Sequence, residues 1–166
     1  MFKLLKKNKL EAVVAPATGQ LIKIDTVPDD VFSQKMMGDG FAVQPTHDEI
    51  YSPIAGTVST VFPTKHAVGI TTDEGLEVLV HMGLDTVELE GKPFEMAVQS
   101  GDKVKTDTKL ADMYLDQVRA SGKETTIVVV YTNMDKLNKI PEIVPQAVSH
   151  GTAVGDIEYA KGRSKG

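Results

Sequence analysis

Two histidines, His66 and His81, are the residues of this chain whose type and spacing most readily support chemistry. They stand in two short apolar runs that flank the turn-forming segment TTDEG, in which Gly75 can adopt a positive φ. A β-hairpin centred between Asp73 and Glu74 would place His66 opposite His81. Cross-strand partners share a face, with Cβ atoms roughly 4.5–5.5 Å apart. The hairpin therefore predicts two adjacent imidazoles, provided that the register does not slip by one residue.

Three interpretations of this pair are open. Each imidazole could be a hydrogen-bonded filler of a β surface, which is the commonest role of an arbitrary pair. The pair could instead bind a metal, but a closed zinc site needs four ligands and the chain has no cysteine. His47, His150 or Asp85 could complete such a site only through an unproven fold. One histidine could instead be a nucleophile whose neighbour holds its tautomer, with Thr64 supplying a hydroxyl to His66. Chemistry alone does not rank the last two.

The composition of the 166 residues predicts one globular domain and excludes several function classes. Hydrophobic residues make up 41% and charged residues 25%, which is ordinary for a folded protein. A net charge of -5 and the absence of tryptophan argue against nucleic-acid binding. The absence of cysteine excludes disulfides and suits a cytoplasmic location. No apolar run approaches the roughly 20 residues of a membrane span.

The domain is predicted to occupy residues 13–158. Residues 1–12 are predicted to form a flexible basic N-terminal segment, with four lysines among the first ten positions. The alternative is a short helix that makes peripheral contact with an anionic membrane. Residues 159–166 are predicted to form a second flexible basic segment.

Short strand-like runs recur along the domain and predict an all-β sandwich or barrel with a few short helices. Gly, Pro and Asp punctuate these runs at short intervals. The helical signal is confined to a candidate helix over 110–120 and a single turn over 134–140. The predicted strands cover 21–24, 40–43, 56–62, 67–70, 76–80 and 125–131.

Four motifs carry a resemblance to a known family. They are KMMGDGFA at 35–42, SPIAGTV at 52–58, TKHA at 64–67 and VHMGLDTV at 80–87. Their order and spacing resemble the glucose-type enzyme IIA family of the bacterial phosphoenolpyruvate-dependent sugar phosphotransferase system. The fifteen-residue spacing of the two histidines matches that of the family's active-site pair. Because no IIB or IIC sequence is attached, the chain resembles the free-standing form.

The resemblance implies a largely antiparallel β-sandwich and specific roles for site residues. His81 is implied to be the phosphoryl acceptor, attacking through Nε2 to become a tele-phosphohistidine. His66 is implied to support it, with Thr64 in the hydrogen-bond network, and Asp85 matches an acidic residue beside the site. The apolar ring implied to dock partner proteins comprises Val31, Phe32, Met36, Met37, Phe62, Leu79 and Val87.

The resemblance also implies partners and no required cofactor. The phosphoryl donor is the histidine phosphocarrier HPr, and the acceptor is a cysteine of a IIB domain of a sugar permease. Regulatory targets that dock according to phosphorylation state are a further implication, and nucleic acid is not. A zinc ion held by His66 and His81 remains an alternative only if a partner completes its ligands.

Overall fold

The protein, described here from a computed structural model over residues 8–161, is built mainly of β-strands. Every strand pair within these residues is antiparallel. The strands are β1 Leu10–Val14, β2 Gly19–Lys23, β3 Gly40–Pro45, β4 Glu49–Tyr51, β5 Gly56–Val61, β6 Ala67–Thr71, β7 Glu77–Leu84, β8 Phe94–Met96, β9 Lys103–Val104, β10 Lys109–Met113, β11 Glu124–Tyr131, β12 Leu137–Lys139, β13 Gln146–Val148 and β14 Ala153–Tyr159. The predicted all-β antiparallel class is confirmed.

Helices are short and few in this part of the chain. The α-helices are α1 Asp30–Ser33 and α2 Leu115–Ala120, and 3-10 helices span Ile24–Thr26, Thr86–Leu89 and Met134–Lys136. No helix over 8–161 is long and apolar enough to cross a membrane.

One large sheet and two small ones form the sandwich. The large sheet has the strand order β13-β2-β3-β11-β7-β6-β5-β9, and the small sheets have the orders β1-β14-β12 and β4-β10-β8. The main hydrophobic core collects buried side chains from all three sheets. The three sheets therefore share one interior.

A second, smaller hydrophobic core covers the other face of the large sheet. Along β11, Ile127 and Val129 pack in the main core, whereas Val128 and Val130 pack in the second. This alternation follows from side chains that point to opposite faces at successive positions of a strand. Phe32 from α1 joins the second core. The centre of the large sheet is thus buried on both faces.

The register of the β6–β7 hairpin differs by one residue from the predicted register. His81 lies opposite Ala67 rather than His66, and the pairs follow that offset along the strands. The cause is the turn, in which Thr72 and Leu76 are joined by a backbone hydrogen bond of 2.9 Å and enclose three residues. Its last residue, Gly75, has a φ of 91°. A three-residue loop ending in a left-handed glycine shifts the register relative to the assumed centre.

Two helical predictions are also corrected. The candidate helix over 110–120 is divided, because Lys109–Met113 forms β10 and only Leu115–Ala120 is helical. Strand β10 pairs with β4 on one side and β8 on the other, so tertiary pairing overrides local helix propensity. In the predicted turn over 134–140, a 3-10 helix ends at Lys136 and β12 follows.

The predicted flexible segments lie partly outside the described residues. Positions 1–7, with the predicted membrane contact, and positions 162–166 are in that category. Leu10 begins β1 and lies opposite Glu158 of β14, so the last three positions of the predicted N-terminal segment belong to a sheet. Tyr159 likewise ends β14. The domain boundaries themselves stay a prediction.

Truncating Ile127 to alanine is expected to lower the free energy of unfolding by about 2–5 kcal/mol, because the residue is fully buried in the main core. Urea denaturation measures the change. The control is Val144→Ala, since Val144 is 60% exposed and its truncation should change stability by no more than about 0.5 kcal/mol. Equal effects of the two substitutions would contradict the described core.

Candidate active site

The ring of His81 lies over the second core with its two nitrogens in different environments. Its Nδ1 is 2.7 Å from the backbone carbonyl oxygen of Gly83. A carbonyl can only accept a hydrogen bond, so Nδ1 carries the proton and Nε2 keeps its lone pair. The ring of Phe32 packs against the imidazole at a centroid distance of 4.9 Å. The arrangement thus fixes a neutral imidazole with Nε2 as its nucleophilic nitrogen.

Gly83 can present its carbonyl to His81 because it occupies a conformation that suits glycine. Its φ is 80°, and a Cβ built on it would lie 2.4 Å from Cγ2 of Thr86 and 3.0 Å from the carbonyl oxygen of Glu124. Any larger residue would therefore meet both backbone strain and a steric clash. The tautomer of His81 depends on this glycine.

His66 stands beside His81 although the two are not opposite each other in the register. It lies one residue before β6 and follows Lys65, whose φ of 61° takes the chain out of the regular strand alternation. The two imidazole rings are nearly perpendicular, with centroids 5.1 Å apart. His66 is 7% exposed, and its Nδ1 is 2.6 Å from Oγ1 of Thr64. The predicted proximity of these three residues is present through a different geometry.

Both imidazoles are neutral near pH 7. Burial is the main cause that lowers the pKa of His81, and the neighbouring His66 lowers it further. The hydrogen bond to Gly83 and the negative charges of Asp29 and Asp85 act in the opposite direction, and the resulting pKa is about 4. Burial also lowers the pKa of His66. A neutral imidazole has the free lone pair that nucleophilic attack needs.

Asp85 is close in sequence but acts on His81 only through its charge. It is exposed and has a φ of 59° just before the 3-10 helix Thr86–Leu89. The carbonyl of Gly83 is the recorded partner of His81 Nδ1 among the described residues. Asp85 forms no side-chain cap of the 3-10 helix that follows it.

The seven apolar residues of the predicted docking ring divide into exposed and buried members. Met36 is 71% exposed, and Val31, Met37 and Val87 are also exposed. Phe32 and Leu79 are buried in the second core, and Phe62 is half-buried against it. Two members line the histidines directly, since Phe32 packs against His81 and Phe62 packs edge-on against His66.

Comparisons with known proteins identify the family of this chain. Residues 11–137 match the family described as phosphoenolpyruvate-dependent sugar phosphotransferase system, EIIA 1. The chain belongs to this family. It is therefore a phosphotransferase component of the sugar phosphotransferase system, and the expected family is confirmed.

Individual relatives of this EIIA chain bear related names. The chain is 47% identical over 147 residues to the PTS system glucose-specific EIIA component of Staphylococcus aureus (strain COL), covering 88% of this chain and 89% of that protein. It is 51% identical over 152 residues, 92% of its length, to the PTS system glucose-specific EIICBA component of Streptococcus pneumoniae serotype 4, but it spans only 21% of that protein. Among solved structures it is similar to the glucose permease IIA from Mycoplasma capricolum, with a TM-score of 0.82 and 36% identity, covering 90% of this chain and 96% of that one.

The EIIA site offers two nitrogens to a metal rather than a complete ligand set. Across residues 8–161 no group of three or more His, Cys, Asp or Glu side chains comes together to hold an ion. With both Nδ1 atoms in hydrogen bonds, a metal would have to use the Nε2 atoms of His66 and His81. Such a site would require ligands from another molecule.

Sequence reasoning did not single out Asp29. Its Oδ1 accepts a hydrogen bond of 2.9 Å from the backbone N–H of Val31 and so caps α1, and its charge also acts on His81. An aspartate that closely precedes an apolar pair, as Asp29 precedes Val31 and Phe32, is a common N-cap signal, and that signal could have identified α1.

Replacing Gly83 with alanine is expected to lower the free energy of unfolding by about 1–3 kcal/mol and to displace the carbonyl that fixes His81. Urea denaturation and the NMR signals of the His81 ring measure the two effects. Gly101→Ala is a matched control, because Gly101 also has a positive φ, of 96°, but no atom lies within 4 Å of an added Cβ. A change in the His81 signals in both variants would contradict a specific role for Gly83.

The His81 ring is expected to stay neutral as the pH falls to about 5 and to titrate with a midpoint of about 4. The unfolded chain, with the ordinary pKa of 6.5, takes up its proton first, so this group lowers stability as the pH falls from about 6.5 to about 4. The pH dependence of the imidazole Cε1–H chemical shift measures the midpoint. Phe32→Ala, which exposes the ring to water, should raise it, and a wild-type midpoint near 6.5 would contradict burial as the cause.

Proposed function

We propose that the protein accepts a phosphoryl group from phospho-HPr on Nε2 of His81 and passes it to a cysteine of a IIB domain. The observation that carries the proposal is the hydrogen bond from His81 Nδ1 to the carbonyl of Gly83, which leaves Nε2 free. In the first transfer the P–N bond of the donor breaks as a P–N bond to His81 forms. In the second, that bond breaks as a P–S bond forms on the acceptor, and Nδ1 keeps its proton throughout.

His66 and Thr64 are proposed to bind the phosphoryl oxygens. If the Thr64 hydroxyl donates to Nδ1 of His66, the proton of that neutral imidazole is on Nε2, where it can be donated to an incoming anion. Phosphoryl transfer depends on in-line positioning and on the dispersal of negative charge. Asp85 is proposed to tune the site electrostatically, in line with its charge acting on the pKa of His81.

The exposed apolar residues around the site support direct transfer between proteins. Transfer without hydrolysis needs the two reacting groups enclosed together away from water. Val31, Met36, Met37 and Val87 would form the part of the docking surface that a partner covers. The flexible thioethers of the two methionines suit contact with more than one partner.

Glucose is proposed as the sugar whose uptake the relay serves. The relatives from S. aureus and S. pneumoniae are named glucose-specific, and the Mycoplasma protein is named a glucose permease IIA. The cytoplasmic location predicted from the sequence stays a prediction, as does the membrane contact of the N-terminal segment.

Two further activities use the same surface. Regulatory targets would dock there according to whether His81 is phosphorylated, and pull-downs with each form would test this. A zinc ion completed by a partner's carboxylate would bind Nε2 of both histidines, and His66 would then carry its proton on Nδ1 and donate it to Thr64. Elemental analysis of the isolated protein and of its complexes distinguishes that site from one that the protein fills alone.

Incubation with phosphoenolpyruvate, enzyme I and HPr is expected to place one acid-labile phosphoryl group on His81. His81→Ala should abolish labelling. His66→Ala should still accept the group but pass it to IIB slower by roughly a hundredfold, because it removes a donor to the phosphoryl oxygens. Mass spectrometry and the rate of label transfer measure the two steps.

His150→Ala is the control for this experiment, since its ring stacks on Tyr51 outside the site and should leave both rates unchanged. Unlabelled wild-type protein that is folded, with both active-site histidines intact, would rule out the carrier function.

A further inference from the structure

The hydroxyl of Thr86 is buried beside the end of β7, the strand that carries His81. Thr86 has no exposed surface, and its Oγ1 donates a hydrogen bond of 2.6 Å to the carbonyl oxygen of Met82. It is the first residue of the 3-10 helix that follows β7. Because this hydroxyl hydrogen-bonds the residue that follows His81, it can fix the backbone conformation at the end of β7.

The backbone that this hydrogen bond spans is conformationally demanding. Between Met82 and Thr86, Gly83 has a φ of 80° and Asp85 a φ of 59°. A non-glycine residue in the left-handed region is held there by its surroundings, since it prefers other conformations. The bond from Thr86 to Met82 closes this turn across both left-handed residues, and the side-chain methyl of Thr86 lies 2.4 Å from the place that a Cβ on Gly83 would take.

Met82 connects the turn to the second histidine. Its N–H donates a hydrogen bond of 2.7 Å to the carbonyl oxygen of His66, and its own carbonyl accepts from Thr86. Both polar backbone atoms of the residue between His81 and Gly83 are therefore fixed. The next carbonyl along the chain, that of Gly83, is the one that accepts from His81 Nδ1.

From these contacts we propose that Thr86 is a positioning residue for phosphoryl transfer, whose hydroxyl holds the Gly83 carbonyl against His81 Nδ1 and so keeps Nε2 free to attack. The role in transfer rests on the proposed function, whereas the role in fixing the tautomer does not. The Nδ1 atoms of His66 and His81 are bonded to Thr64 and Gly83, whereas Thr86 bonds the Met82 carbonyl. It acts through the Met82–Gly83 backbone.

The test compares Thr86→Val with Thr86→Ser. Valine keeps the shape and the methyl but loses the donor, and serine keeps the donor but loses the methyl. Nitrogen-15 NMR of the imidazole reports the tautomer of His81 at neutral pH, and initial labelling by phospho-HPr reports the rate. We expect wild type and Thr86→Ser to be in the Nδ1–H form. We expect Thr86→Val to populate the Nε2–H form and to be phosphorylated roughly tenfold more slowly, as a misplaced reacting group would be.

Thr72→Val is the matched control for the loss of a buried hydroxyl. Thr72 lies at the turn end of the same hairpin, where its Oγ1 accepts hydrogen bonds from the N–H of Leu76 and the hydroxyl of Tyr159. The substitution should lower stability but leave the His81 tautomer and the labelling rate unchanged. An equal tautomer change in Thr72→Val would mean that general loosening is the cause and would overturn the proposal.

Other outcomes also decide between the two proposals. An unchanged tautomer and rate in folded Thr86→Val would overturn the positioning role. If Thr86→Val does not fold, Thr86→Cys, whose thiol donates weakly, replaces it, and equal behaviour of the Cys and Ser variants would overturn the role. If wild type is not labelled while Thr86→Val still changes the tautomer, the carrier function fails and the effect of Thr86 on the imidazole stands.

Discussion

The hydrogen bond from His81 Nδ1 to the Gly83 carbonyl is the interaction on which the chemistry of this protein depends. A neutral imidazole can carry its proton on either nitrogen, and here the hydrogen bond to a backbone carbonyl fixes it on Nδ1. A carbonyl fixes the proton on Nδ1 without adding a charge to the site, and it leaves the lone pair on Nε2. The bond requires a local bend of β7 two residues after His81, where Gly83 has a positive φ and the pairing with β11 is irregular between Glu124 and Ile127.

Burial and nucleophilicity are balanced at this site. Removing His81 from water lowers its pKa to about 4, which keeps the lone pair available but also makes the nitrogen a weaker base than a solvated imidazole. The Gly83 carbonyl and the charges of Asp29 and Asp85 oppose that effect. A phosphoryl group bound to a nitrogen of low basicity is also a group that leaves readily. Under the proposed function, burial would keep the acceptor nitrogen unprotonated and ease release of the phosphoryl group, but it would also weaken the nitrogen as a nucleophile.

The class of fold and the histidine pair could be predicted from sequence because strand alternation and turn residues are local signals. The register could not, since it depends on whether the turn encloses two or three residues, and TTDEG permits either. His66 and His81 are nevertheless adjacent, because His66 lies just before β6 and follows Lys65, which has a left-handed backbone conformation. Strand β10 was missed for the opposite reason: its pairing with β4 and β8 is long-range, and a short apolar run does not reveal it. The place of Asp85 beside the site likewise came only from the resemblance, and its side chain is exposed to solvent.

The short helix α1 and its N-cap Asp29 contribute both to the environment of the His81 ring and to the exposed apolar surface. Four residues cannot form a stable helix alone, so α1 depends on the Asp29 cap and on the burial of Phe32 in the second core. The ring of Phe32 is also the aromatic group packed on His81, while its neighbour Val31 is exposed. A molecule that contacts Val31 therefore contacts the element that keeps water from the His81 ring. A partner that binds the exposed side of α1 would therefore also affect the surroundings of the imidazole. This helix packs in the second core, on the face of the large sheet opposite the main core.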